Sequence, residues 1–376
     1  MTEAPTPQVI GPTRRRFLQA GTAGIVSAAA LAGSCEQGAD APTHPRDQSA
    51  PWSPLLSENI SDLQPATLTW MAQVGLEHVV LQGTDWVDAS RKGYWTEDDL
   101  ADLVTRCERH GLKLHSLMIP ISWLMNAMLG RPERDSDIER IARSIQAAGA
   151  VGIGMIEWRW SPDFKWGDDV GYYSVEGRGG AGYKAFDYGR VARREPFPDL
   201  GPISREILWE RLVYFADPVM KAAEQAGVLM SLHPKDPPVK SMCGIDRILT
   251  NTDEIQSFLD AIPSPVNGFT FCQGTVTEMG VDVIEAIRHI GGRGKIHHVH
   301  FRAVRGKVPR YTETFIDEGD VDMLAAMRAY KQVNYRGSLV SDHTPRIADD
   351  PGGRIGRTFS HGYIRGLVQA VNAEPA

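Results

Sequence analysis

Cysteine is scarce in this chain. Its four residues (Cys35, Cys107, Cys243, Cys272) lie far apart in 376, without a C-x-x-C pair. That argues against a disulfide framework and a zinc ribbon. Basic residues are outnumbered, with 40 Lys and Arg against 47 Asp and Glu, a net charge of −7 with His neutral. A nucleic-acid platform needs a basic face, and this chain has no excess of base to build one. No apolar run is long enough to span a bilayer. No G-x-G-x-x-G follows the first apolar strand, which weakens the case for an open dinucleotide-binding sheet. What remains is an ordinary globular composition, 42% hydrophobic and 23% charged. It is long enough for one large barrel or two smaller domains.

The first 35 residues read as an address. Thr13-Arg14-Arg15-Arg16-Phe17-Leu18-Gln19 is followed by the Ala/Gly-rich stretch GTAGIVSAAALAGS and then Cys35. A basic start, a short apolar run and small residues make up an export signal. The paired arginines before Phe17-Leu18 resemble the twin-arginine signal, which exports folded proteins. Ala32-Gly33-Ser34-Cys35 loosely follows a lipoprotein cleavage box, so lipidation of Cys35 and simple cleavage both fit. Residues 36–55 are polar and Pro-rich and read as a linker. Without the signal the chain holds 37 bases and 46 acids, a net of −9.

After the linker, short apolar runs alternate with amphipathic stretches such as Thr96–His110 and Ser136–Ala148. The strand-like runs are Glu77–Gly83, Leu112–Pro120, Val151–Trp160, Val228–Lys235, Gly268–Gly274, Lys295–Arg302 and Gly337–Thr344. Such alternation predicts a parallel sheet covered by helices, and its repetition favours a (β/α)8 barrel over residues 56–376. The eighth strand is expected near Pro54–Ile60 or in the C-terminal tail. Ser161–Ser204 is Gly- and aromatic-rich without strand or helix periodicity, and reads as a lid or binding loop.

Four strand ends carry ligand-type side chains: His233, Cys272, His300 and Asp342, spaced 39, 28 and 42 residues apart. Each interval is about one βα unit, and strand C-termini of a barrel face a common mouth. Two imidazoles, a thiolate and a carboxylate suit Mn, Fe(II), Co or Zn. Neighbouring His297, His298 and His343 leave the choice of histidines open, although His298 shares a strand face with His300 by period two.

These residues carry a resemblance. His233-Pro234-x-Asp236-Pro237-Pro238, Asn267-Gly268-Phe269-Thr270-x-Cys272-x-Gly274, His300-x-Arg302, Gly319-Asp320-Val321-Asp322-Met323 and Asp342-His343 occur in an order that resembles the mannonate dehydratases, xylose-isomerase-like TIM barrels. The resemblance is strong from about Val228 to His343. It implies dehydration of D-mannonate to 2-keto-3-deoxy-D-gluconate with Mn(II) or Fe(II), and His233, Cys272, His300 and Asp342 as metal ligands. The chain departs from the family at Lys235, where an Asp is usual. It departs again at Asp350–Arg354, which lacks the Tyr that usually follows the Asp-His pair; Tyr363 is the nearest.

Dehydration needs a base for the proton beside the carboxylate and an acid for the leaving hydroxyl. His343, beside Asp342, is the candidate, the alternative being a surface His that caps a loop; Arg302 is expected to clamp a carboxylate in bidentate fashion, with an ion pair at the barrel rim as the alternative. Lys235 either favours a more anionic ligand or faces solvent. Glu157 is expected to face the same mouth, with Trp158 and Trp160 either stacking on sugar or packing. The expected partner is a small sugar acid, with no nucleic acid and no membrane contact beyond a lipid on Cys35. The expected location is outside the cytoplasm. An alternative is an exported lyase, epimerase or isomerase of the same barrel group acting on an oxidised sugar or glycoside. A non-enzymatic binding protein is disfavoured, because no second lobe is evident.

Overall fold

The computed structural model describes residues 51–82, 92–163 and 170–375. The expected signal and the expected linker up to residue 50 therefore lie outside the described residues. Fourteen strands are described, in chain order: β1 (Leu55–Ile60), β2 (His78–Leu81), β3 (Lys113–Met118), β4 (Met155–Arg159), β5 (Tyr172–Glu176), β6 (Gly182–Asp187), β7 (Leu229–His233), β8 (Ser241–Met242), β9 (Ile245–Asp246), β10 (Asn267–Cys272), β11 (Ile296–His300), β12 (Val304–Lys307), β13 (Arg310–Glu313) and β14 (Ser338–Val340).

Eight of them close a parallel barrel in the order β1-β14-β11-β10-β7-β4-β3-β2. The seven strands expected from sequence are all present, and the eighth is β1, first in the chain. The linker ends earlier than expected. Trp52 is buried and its Nε1 donates to the Tyr335 carbonyl at 2.9 Å, while Asn372 donates to the Trp52 carbonyl. The segment before β1 thus packs against the C-terminal helix, Arg354–Ala373.

The helices follow ordinary local rules. Glu97–Glu108 opens with a capping box between Thr96 and Asp99, and its buried positions Leu100, Leu103 and Cys107 recur at helical spacing. Gly227 ends the 22-residue helix Arg205–Ala226 in the left-handed conformation.

The stretch expected to be an irregular loop is partly a β-hairpin. β5 and β6 pair antiparallel around a turn in which Gly179 and Gly180 have φ of 61° and 82°, a region open mainly to glycine. A second hairpin, β12–β13, follows β11, and β13 pairs with β6 to make a four-stranded sheet, β12-β13-β6-β5. Its apolar side includes Tyr172, Phe186, Val304 and Tyr311, packed with Val239 and Met242. Because the hairpins leave the C-terminal ends of β4 and β11, the sheet stands as a cap at the mouth.

Candidate metal centre and its cavity

The four expected ligand positions fall on four neighbouring strands: β7, β10, β11 and β14. His233, Cys272 and His300 are each the last residue of a strand, and Asp342 lies two residues past β14. Ligand atoms of His233, Cys272 and His300 all lie within 4.8 Å of one another, and all three side chains are buried. Asp342 Oδ2 is 3.5 Å from His300 Nδ1. Asp342 has φ of 57°, a conformation that Asp adopts more readily than most residues.

The electrostatics suit a cation. Burial, with the Arg159 guanidinium nearby, holds His233 well below its ordinary value, so it is neutral and able to ligate. Burial also opposes charge on His300, but Asp342 outweighs it and lifts that imidazole to about 10. Against its own burial, Asp342 is held well below the carboxylate range by His300 and His343. Both ring nitrogens of His300 are buried without a hydrogen-bond partner, a costly arrangement that ligation would relieve. The residues present therefore fit a divalent metal.

A second group, Glu157, His298 and His300, also has its ligand atoms within 4.8 Å and shares His300 with the first. His298 Nδ1 is 2.6 Å from Ser338 Oγ, and its Nε2 has no partner. His297 points the other way and contacts the Met230 carbonyl at 3.3 Å.

Arg302 departs from expectation. Its guanidinium is buried and meets the protein's own acids. It donates to Glu278 Oε1 (2.9 Å), Asp236 Oδ2 (2.8 Å) and Thr275 Oγ1 (3.2 Å), with Nε 3.0 Å from Asp342 Oδ2. A side chain so engaged has no fork left for a substrate carboxylate; it neutralises a buried acid cluster instead. Gly274 belongs to this arrangement, since a Cβ there would come within 2.4 Å of the guanidinium. Burial, with Asp236 beside it, pushes the Glu278 carboxyl well above its ordinary range.

Lys235 is also buried, which sets aside a solvent-facing role. It pairs with Ser161 and Asp163, and Asp163 takes Arg247 at 2.6 Å on its other oxygen. Trp158 and Trp160 pack rather than stack on a ligand: their rings lie 5.4 and 5.3 Å from Phe215. Strand alternation explains the split, with Trp158 turned to the helices and Glu157 toward the interior.

The cap sheet supplies the residues that sequence reading missed. Glu313 Oε2 accepts from His343 Nδ1 at 2.9 Å, and Lys184 donates to Glu313 Oε1 at 2.8 Å. Tyr172 donates to Asp236 Oδ1 at 2.8 Å, with the Tyr311 hydroxyl 3.2 Å from that of Tyr172. A signal was available: aromatic and β-branched runs on both sides of the Gly-rich turn at 177–182.

A cavity of about 550 Å³ opens beside this cluster. Asp342 and His343 line it, as do Asn59, Arg159, Arg354 and Arg357. A pocket of this size suits a small ligand, and three guanidinium groups in its wall suit an anion.

A family profile described as D-mannonate dehydratase (UxuA) matches residues 181–375, just over half of the chain. Mannonate dehydratase 2 of Halalkalibacterium halodurans is 28% identical over 317 residues, 76% of this chain and 90% of that protein. The mannonate dehydratase of Thermotoga maritima is 29% identical over 314 residues, 74% and 87% of the two chains. Among solved structures, mannonate dehydratase from Streptococcus suis serotype 2 superposes with a TM-score of 0.76 at 28% identity, covering 85% of this chain and 93% of that one. A xylose isomerase domain protein from Alicyclobacillus acidocaldarius, at 13% identity and a TM-score of 0.60, shares the fold. With its barrel closed and its profile match running through all four proposed ligand strands and most of the cap, this chain belongs to the D-mannonate dehydratase family.

Proposed function

We propose that this chain is an exported hydro-lyase that removes water from D-mannonate, or from a closely related sugar acid, to give the 2-keto-3-deoxy product. The observation that carries the reading is the meeting of His233, Cys272 and His300, with Asp342 against His300, at the edge of a basic cavity. Family membership supports it. In this proposal those four residues hold Mn(II) or Fe(II), a choice supported by the mix of imidazole, thiolate and carboxylate donors. Once bound, the ion supplies Lewis-acid stabilisation of the charge that develops beside the substrate carboxylate.

The chain's own groups do the rest. Burial opposes charge on Glu313, but His343, Lys184 and Arg302 hold its carboxyl far below the ordinary range, so it is ionised and can only accept. His343 therefore carries its proton on Nδ1, which leaves Nε2 as a base. His343 Nε2 takes the proton from the carbon next to the carboxylate. The imidazolium then returns a proton to the hydroxyl leaving the adjacent carbon, and water departs. Arg159, Arg354 and Arg357 in the cavity wall hold the acid in place, and Arg302 keeps the buried carboxylates around His343 in fixed positions.

Export, with Cys35 as the site of a membrane-anchoring lipid, belongs to the same proposal and rests on residues 1–35 of the sequence. Among the described residues no helix is long and apolar enough to cross a membrane. Cell fractionation of Arg14→Lys/Arg15→Lys tests the route; unchanged export of the double variant would refute it. The activity is tested by incubating Mn(II)-loaded protein with D-mannonate and assaying the 2-keto-3-deoxy acid. Cys272→Ala serves as the blank. Formation of an epimer or ketose in place of the dehydrated product would assign the barrel to a different reaction.

A further inference from the structure

One wall of the cavity takes no direct part in the proton transfers described above. It is built from Asn59, near the end of β1, and from Arg354 and Arg357 at the start of the C-terminal helix Arg354–Ala373. The Asn59 side chain is buried, at 6% exposure, and neither Oδ1 nor Nδ2 has a hydrogen-bond partner. A primary amide brings two donors and an acceptor. Leaving all of them buried and unpaired is costly, and folded proteins tolerate it chiefly where something that binds recovers the loss.

The position of this amide is fixed from behind. The Asn59 N–H donates to Glu58 Oε1 at 2.7 Å, and its carbonyl accepts from Arg357 at 2.5 Å. Glu58 is buried, accepts from His361 Nε2 at 2.7 Å, and also takes the Ser341 hydroxyl. Successive strand residues face opposite sides. Glu58 thus anchors β1 to the helix and to the residue before Asp342, while Asn59 faces the cavity. Of the three side chains in this wall, the two guanidiniums are engaged, Arg354 on Thr67 Oγ1 at 3.0 Å and Arg357 on the Asn59 carbonyl. The amide alone of the three has its whole capacity unspent.

We propose that Asn59 determines specificity by reading two neighbouring hydroxyls of the substrate chain, one accepting from Nδ2 and one donating to Oδ1. The inference rests on the sugar-acid reading of this cavity. It names the ligand class as a polyhydroxy acid with an intact vicinal diol away from the reacting carbons. A site built to pair with a hydroxyl rejects the analogue that lacks it, because the buried amide is then left bare.

The test compares wild type, Asn59→Ala and the near-isosteric Asn59→Leu, each full length and loaded with Mn(II). Calorimetry measures affinity for D-mannonate and its 4-, 5- and 6-deoxy analogues, while 2-keto-3-deoxy product is followed in parallel. In wild type, at least one deoxy analogue should bind about 10- to 100-fold more weakly than the parent. In both variants that gap should close, chiefly through loss of affinity for the parent. A wild type that does not distinguish the analogues, or a gap that persists in the variants, overturns the proposal. A closing gap without product formation would refute dehydration and leave the Asn59 assignment standing; product formation without a gap does the reverse. No binding of any hexonate refutes both.

Discussion

His343 Nδ1 and Glu313 Oε2 stand 2.9 Å apart, joining the end of the barrel wall to the cap. Glu313 also lies 3.7 Å from Arg302, but its shortest contact with the proposed acid–base machinery is His343, whose orientation and tautomer it fixes. Glu313→Gln is expected to lower kcat by about 10- to 100-fold with KM little changed, and His343→Asn by about 100-fold or more. The double variant should be no slower than His343→Asn alone. Steady-state kinetics of the 2-keto-3-deoxy product checks this, and additive losses would show that the two residues act separately.

Cys272 supplies the only thiolate of the proposed ligand set. Cys272→Ala should lose bound metal, as measured by elemental analysis, and activity with it. Chelation of the wild type should abolish turnover, and Mn(II) or Fe(II) should restore it. Metal content unchanged in Cys272→Ala would shift the centre toward the neighbouring group of Glu157, His298 and His300.

Asp163 lies buried between Lys235 and Arg247. Burial opposes its charge, but the two cations prevail and hold its carboxyl far below the ordinary 3.8. The folded pKa is depressed, so the stabilisation is complete above the unfolded value and is lost as pH falls through the folded one. Urea midpoints should therefore decline between about pH 5 and pH 3, with a flatter slope in Asp163→Asn. That variant should also be less stable at neutral pH by about 3–5 kcal/mol, because two buried cations lose their counter-charge.

Trp158 packs on Phe215 and Phe258. Trp158→Ala should cost about 3–5 kcal/mol in chemical denaturation, with KM for the sugar acid unchanged in the protein that remains folded. A raised KM at full stability would indicate a sugar platform instead.

Much of the barrel was legible because parallel strands buried on both faces leave apolar runs that punctuate the chain. β1 was harder to place. It reads Leu55-Leu56-Ser57-Glu58-Asn59-Ile60, and its buried Glu58 is accounted for by side chains nearly 300 positions away, at His361 and Ser341. The proposed ligand positions stand out as a spacing, since each βα unit returns a strand end to the same mouth. The choice for Arg302 between a substrate clamp and an ion pair is hidden from the sequence for a related reason. Sequence indicates that a guanidinium stands at the mouth, but Asp236 and Asp342 reach it from the loops after two other strands, and Glu278 from the helix Gln273–Met279. The cap was hidden because β6 finds its partner in β13, and nothing local records a pairing between Lys184 and Glu313.

That pairing makes the roof of the site indivisible. Neither hairpin completes the sheet alone, and His343 is held by a residue of one hairpin whose own counter-ion sits on the other. Exchanging one hairpin with that of a relative should leave Glu313 and Lys184 mismatched and the imidazole unguided. The two loops must be transplanted as a matched set, although more than a hundred residues of barrel separate them in the gene.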